Sequence, residues 1–192
     1  ITQTQISMVH TAFNIGTTVL LFPVSNWIIK LAKKIGRVEE DEQDRSRVLL
    51  DDRILETPAI ALQSVVNEVE RMGQIVLESM EAAKTVLFTQ KEEEIQFLKE
   101  EESTVDRLSA GITNYAIKLS SLQISEKEHQ SVAHLLQIVS DMERISDYCE
   151  NISEFAETLY EKKVSFSEIG KEQIKEMLDV CTDSYRYALD SL

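Results

Sequence analysis

Four long stretches of this 192-residue chain repeat their apolar residues at intervals of three and four, which is the spacing of one face of an α-helix. They run over about residues 59–90, 91–122, 125–160 and 167–192. Five glycines and two prolines in the whole sequence leave little material for turns. Since helices of about 30 residues joined by short turns pack as antiparallel neighbours, the sequence predicts an all-α chain in which residues 57–192 form an antiparallel helical bundle.

Two of the helix starts carry a local signal. Thr57 is a residue type that caps helices, and Pro58 suits the first helical position. Ser125 is followed three residues later by Glu128, which is the spacing of a capping box. These signals place the starts of the first and third helices.

The amino-terminal segment has a different character. No charged side chain occurs in residues 1–29, and the apolar run from Met8 to Ile29 is long enough for a hydrocarbon core, which needs about 20 residues. Four basic residues follow it, namely Lys30, Lys33, Lys34 and Arg37. Basic flanks favour the cytoplasmic side, so the sequence predicts a transmembrane helix within residues 1–36, a location in the cell membrane, and a cytoplasmic position for residues 37–192.

The chain has no initiator methionine. We therefore expect it to be the carboxyl-terminal part of a multi-span protein, whose other transmembrane helices pack against this one. A single signal-anchor helix is the alternative interpretation. Residues 37–56 are dense in charge and lack a sustained apolar period, which is typical of a linker leaving the membrane.

The charge balance excludes some functions. The formal net charge is −14, and the only charged residues of the first 37 are basic, so the remainder is more acidic still. An acidic domain repels phosphate backbones and anionic lipid headgroups, and we expect no nucleic-acid partner. Cys149 and Cys181 are far apart in sequence and are predicted to be reduced thiols.

A weak internal repeat relates the fourth helix to the first. In this register Ile174 lies on Leu62 and Met177 on Val65. The bundle would then consist of one three-helix repeat plus the first helix of a second. Such an incomplete bundle leaves an apolar stripe uncovered, so we expect it to oligomerise.

Carboxylates recur at one-turn spacing on two predicted helices. Glu102 and Asp106 form one pair, and Glu143, Asp147 and Glu150 share a face of the next helix. Two pairs on adjacent helices could offer oxygens from both sides of a groove, which suits a hard or borderline metal ion. The alternative is a solvated charged face, because these residues point away from the apolar seams.

Several of these motifs resemble a known family. Val69 to Gly73, Glu102 to Asp106, and Glu143 to Ile152 resemble the PhoU family repeat, a three-helix unit. His10 to Asn14 is similar to the last part of the membrane domain of bacterial sodium/phosphate cotransporters, which often carry a cytoplasmic PhoU-like domain.

The resemblance implies phosphate transport or its regulation, with inorganic phosphate and sodium as the transported ions. It also implies iron, zinc or manganese bound at the paired motifs, with Glu102, Asp106, Glu143 and Asp147 as the metal ligands. The Gln-Ser-Ser motif associated with the substrate site is absent. We therefore expect the sodium and substrate ligands to lie outside this chain.

The sequence offers no catalytic constellation, because it lacks a glycine-rich phosphate loop and a nucleophile beside a histidine. We expect a transport protein and not an enzyme. The alternative function is a receptor-type signal transducer in which one membrane helix feeds an acidic helical domain. Pro58, the turn near residues 122–125 and the break near Gly170 favour a folded bundle over one continuous coil.

Overall fold

The carboxyl-terminal three quarters of the chain folds into four long helices. In this computed structural model the described residues are 8, 10, 11, 13, 14 and 45–192. They contain a short 3₁₀ helix at Asp52–Glu56, then α1 (Pro58–Thr89), α2 (Glu92–Ser120), α3 (Glu126–Lys162) and α4 (Glu168–Leu189). No strand occurs among them, which confirms the predicted all-α bundle.

The predicted transmembrane helix within residues 1–36 lies outside the described residues, apart from five helical positions. Across the ranges that are described, none of the helices combines the length and the apolar character that a membrane span requires. The transmembrane helix stays a prediction.

The helix ends follow local chemistry. Ser125 Oγ accepts a hydrogen bond from the Glu128 N–H, and Glu128 Oε2 accepts one from the Ser125 N–H at 2.7 Å, so the predicted capping box is present. Pro58 occupies the first turn of α1, although the Thr57 side chain makes no capping hydrogen bond. Helices α1 and α3 end at Gln90 and Lys163, both with left-handed backbone.

The core lies between α1, α2 and α3, which pack against one another along their lengths. Its fully buried members include Val65, Met72, Leu108, Ile112 and Val139. Burial of each such side chain contributes about 1.5–3 kcal/mol. Most of these residues belong to the apolar faces expected from the sequence. The spacing by three and four was therefore sufficient to predict which face of α1, α2 and α3 is buried.

Helix α4 packs mainly against α1, through one close approach. A Cβ atom added at Gly73 of α1 would lie 2.4 Å from Leu189 Cδ1, so a glycine is needed there. Tyr185 Oη also donates to the Gly73 carbonyl at 3.0 Å. Thr182 of α4 is also buried, but much of the predicted apolar face of α4 is exposed: Met177 is 57% exposed, whereas Val65, its counterpart in the proposed repeat, is buried. A second repeat and an oligomer both stay predictions.

The segment predicted to be a linker is partly packed. Within residues 45–56, side chains of Val48, Leu50, Ile54 and Leu55 contact the core, so this part of the predicted charged linker, residues 37–56, packs on the bundle. Two short apolar groups separated by charges show no helical period. Their packing therefore had no signature in the sequence.

Candidate metal centre

Three of the predicted ligands meet at the edge between α2 and α3. Glu102 and Asp106 lie one turn apart on α2, and Asp147 faces them from α3. One carboxylate oxygen of each lies within 4.8 Å of the others. Metal–oxygen distances of about 2.0–2.6 Å place the ligand oxygens of one ion at most about 5 Å apart. The three carboxylates therefore fit a single hard or borderline cation.

The electrostatics of this carboxylate cluster are unfavourable without a cation. Partial burial and, after it, the charges of Asp106, Glu150 and Asp147 together raise the pKa of Glu102 to about 7. Asp106 and Asp147 themselves are exposed. A bound cation would relieve this repulsion, since it offers opposite charge to all three carboxylates.

Glu143, the fourth predicted ligand, lies outside the cluster. Its Oε2 accepts a hydrogen bond from Ser109 Oγ at 2.9 Å, one layer further along the antiparallel pair of α2 and α3. Glu150 comes closer to the cluster than predicted, because its charge acts on Glu102. The structure thus brings together three of the four predicted residues.

Two glutamates outside the four predicted ligands are buried, and of these the sequence singles out only Glu101, as a gap in an apolar seam and a reserve metal ligand. Glu68 is 3% exposed and pairs with Arg71 at 2.6 Å. Glu101 is 6% exposed and accepts from Arg45 Nη1 at 3.1 Å. The signal for Glu101 is present in the sequence, since it interrupts the apolar seam of α2. Glu68 is signalled only by its i,i+3 spacing from Arg71.

Comparison with protein families matches the part of the chain that contains the cluster. Residues 69–156 match the PhoU domain. The match begins at Val69 on α1 and ends at Ala156 on α3. All three clustered carboxylates therefore lie inside the PhoU match, whereas α4 and residues 45–56 lie outside it.

Whole-chain comparisons extend beyond the PhoU match. The chain is 24% identical over 182 residues to YjbB of Salmonella typhimurium, which is named as a proposed inorganic phosphate export protein; the alignment covers 94% of this chain and 33% of that protein. The Escherichia coli K12 protein of the same name is 22% identical over 182 residues, and the alignment again covers 94% of this chain and 33% of that protein. A phosphate-specific transport system accessory protein PhoU homolog of Synechocystis is 32% identical over 97 residues, covering 50% of this chain and 43% of that protein.

The chain spans about a third of the length of the phosphate export relatives that it matches. No solved structure matches it significantly. The chain is thus homologous to phosphate export and PhoU-like proteins.

The raised pKa of Glu102 makes the stability of the PhoU-like bundle depend on pH. Between about pH 4.5 and 7 the folded protein holds a proton on Glu102 that the unfolded chain releases. The free energy of unfolding should therefore fall as pH rises through this window, by at most about 3 kcal/mol. The Glu102→Gln variant should lose this fall and be the more stable protein above pH 7.

Urea unfolding at several pH values, with a chelator present, measures this dependence. Glu100→Gln is the matched control, because Glu100 lies on the same helix and its carboxylate accepts from Gln96 at 2.6 Å, its one hydrogen bond within the described part of the chain. The control should keep the parent profile. If Glu102→Gln also keeps it, the crowding of carboxylates around Glu102 does not exist in solution.

Proposed function

We propose that this chain is the carboxyl-terminal part of a sodium-dependent inorganic phosphate transporter of the cell membrane. Residues 1–36 complete the membrane domain, and residues 57–192 form a cytoplasmic PhoU-like domain that regulates transport. The observation that carries this proposal is the extent of the similarity to the phosphate export proteins, which covers 94% of the chain. The PhoU match alone spans residues 69–156.

Two features of the amino-terminal segment support the membrane part of the proposal. The charge-free run of residues 1–29 suits a hydrocarbon core, and the basic flank from Lys30 to Arg37 favours a cytoplasmic bundle. The similarity of His10 to Asn14 to the sodium/phosphate cotransporters supports sodium as the coupling ion. Sodium and phosphate ligands belong, in this proposal, to membrane helices outside the chain.

We also propose that the carboxylate cluster holds a divalent or ferric ion such as iron, zinc or manganese. Glu102, Asp106 and Asp147 supply the oxygens, and Glu150 adds negative charge beside them. Their mutual proximity and the raised pKa of Glu102 support this assignment. An ion held there bridges α2 and α3, so its binding would stabilise the bundle in one arrangement. The proposal assigns no enzymatic activity to the protein.

Phosphate flux in cells tests the proposed function. The complete protein is produced in bacteria that lack their own phosphate transporters, and radioactive phosphate is followed in both directions with sodium or with potassium outside. We expect sodium-dependent phosphate flux, and an altered rate with no loss of transport when residues 57–192 are deleted.

Sulfate flux in the same cells is the control for leakage. Phosphate flux that does not depend on sodium would rule out sodium as the coupling ion but leave phosphate as the transported substrate. Absence of phosphate flux in either direction would reject the transporter and favour the receptor-type alternative.

A further inference from the structure

The segment that leads into the 3₁₀ helix lies along the groove between α1 and α2. We call residues 45–52 the strap. Two of its carbonyls accept hydrogen bonds from one guanidinium: Arg71 Nη1 donates to the Arg45 carbonyl at 2.6 Å, and Arg71 Nη2 to the Arg47 carbonyl at 2.9 Å. The Leu49 N–H donates to Glu68 Oε1 at 3.0 Å. Helix α1 thus recognises the backbone of the strap.

The recognising residues form a unit of their own. Glu68 is 3% exposed and accepts from Arg71 Nη2 at 2.6 Å and from Arg71 Nε at 3.1 Å. A buried carboxylate needs such a partner. The planar guanidinium presents donors in a rigid fork, so it can bind the carboxylate and two carbonyls together. This pair is therefore a preformed slot for an extended peptide.

Helix α2 completes the slot. A Cβ atom at Gly111 would lie 2.2 Å from Val48 Cγ2, so the strap touches the α2 backbone where a side chain is absent. Tyr115 Oη donates to the Asp51 carbonyl at 3.1 Å, and Lys118 Nζ lies 2.7 Å from Asp52 Oδ2. These contacts follow one another in register along both helices.

The strap is held differently from the helices it lies on. Its apolar side chains are only partly covered, and Leu49 is 63% exposed, whereas Val65 and Val69 of α1 are fully buried. Its attachment combines hydrogen bonds to a few side chains with partly covered apolar contacts, and none of residues 45–52 is buried. Segments with few buried apolar contacts open locally without global unfolding.

We propose that the strap is a releasable coupling element between the preceding segment of the chain and the bundle. When it is docked, Arg45 lies between Glu78 of α1, at 2.5 Å, and Glu101 of α2, at 3.1 Å. Arg45 is then held beside Glu78, which lies about 30 Å along α1 from Pro58 at a rise of 1.5 Å per residue. When the strap is released, the chain is first attached to the bundle at the start of α1. The Arg45 guanidinium then no longer pairs with Glu78 and Glu101.

Native-state proteolysis of the complete 192-residue chain by trypsin tests the proposal, because Arg45 and Arg47 are themselves cleavage sites. In the parent we expect cleavage after Arg47 to be faster than cleavage after Arg107 in α2. Arg71→Lys keeps the positive charge but loses the planar guanidinium, whose several donors bind Glu68 and the two carbonyls together. It should speed cleavage after Arg45 and Arg47 by roughly tenfold to a hundredfold, the factor that corresponds to the loss of one charged hydrogen bond, and leave the α2 site unchanged.

A second variant changes no charge. Gly111→Ala pushes Val48 out of the slot and improves the helix propensity of α2, so the strap should loosen while the bundle does not. Arg144→Lys is the control, because it makes the same exchange at an exposed position of α3 and leaves the Arg107 cleavage site intact. The proposal is overturned if the parent strap is cut no faster than α2, or if both variants speed cleavage in α2 as much as in the strap.

Discussion

Mn²⁺ added at about a hundredfold excess over its Kd is expected to raise the free energy of unfolding by about 2.7 kcal/mol. The ion relieves the repulsion among Glu102, Asp106 and Asp147 only where folding brings their oxygens within 4.8 Å. Zn²⁺ or iron should act in the same direction, and a chelator should reverse the effect. Thermal unfolding with and without the ion measures the shift.

The double variant Asp106→Asn, Asp147→Asn should lose this response, since it removes a ligand from each helix. Without metal it should be no less stable than the parent, because two like charges leave a crowded edge. The matched control is Asp141→Asn, Glu154→Gln, which removes two exposed carboxylates of α3 and should keep the full metal response.

The single variant Glu143→Gln should also keep most of the response, because Glu143 is bonded to Ser109 away from the cluster. An Asp106, Asp147 variant that retains the whole shift would place the ligands elsewhere. If neither metal nor chelator changes the melting temperature of the parent, the cluster is only a solvated charged edge.

Gly73→Leu is expected to destabilise the bundle by about 1–3 kcal/mol through overpacking. Even a Cβ atom at this position would lie 2.4 Å from Leu189 Cδ1 and 2.9 Å from Met142 Cε. The larger side chain must displace Leu189, which is a buried contact of α4 with the core. This loss opposes the gain in helix propensity, which is about 1 kcal/mol for replacing a glycine.

Urea unfolding of Gly73→Leu should be compared with Gly170→Leu, a glycine-to-leucine change within α4 itself. An added Cβ at Gly170 meets only Ser167 Oγ at 3.2 Å and Phe166 Cβ at 3.8 Å. We expect this control to remain close to the parent. Equal stability of the two variants would mean that α4 does not dock over Gly73 in solution.

Local sequence determined the helices of this protein. The spacing of apolar residues by three and four placed α1 to α4 and the buried faces of α1, α2 and α3, because a helix is defined by contacts within one or two turns. The capping box at Ser125 and Glu128 is local for the same reason. One-turn spacing also sufficed to pair Glu102 with Asp106, since residues four apart share a helical face.

Only the tertiary structure decided which partners meet across helices. Asp147 faces Glu102 and Asp106 while Glu143 faces Ser109, because the register of α3 against α2 depends on how their buried side chains interdigitate. A shift of one turn would place a different residue of α3 opposite Glu102 and Asp106 without changing the apolar pattern.

The strap shows the same limit more strongly. Its place in the groove depends on Arg71, 26 residues after Arg45, and on Gly111, 63 residues after Val48. No local period encodes such contacts, because they join residues that are far apart in the sequence. Helices are properties of neighbouring residues, whereas the metal cluster and the strap are properties of surfaces that exist only after the helices have packed.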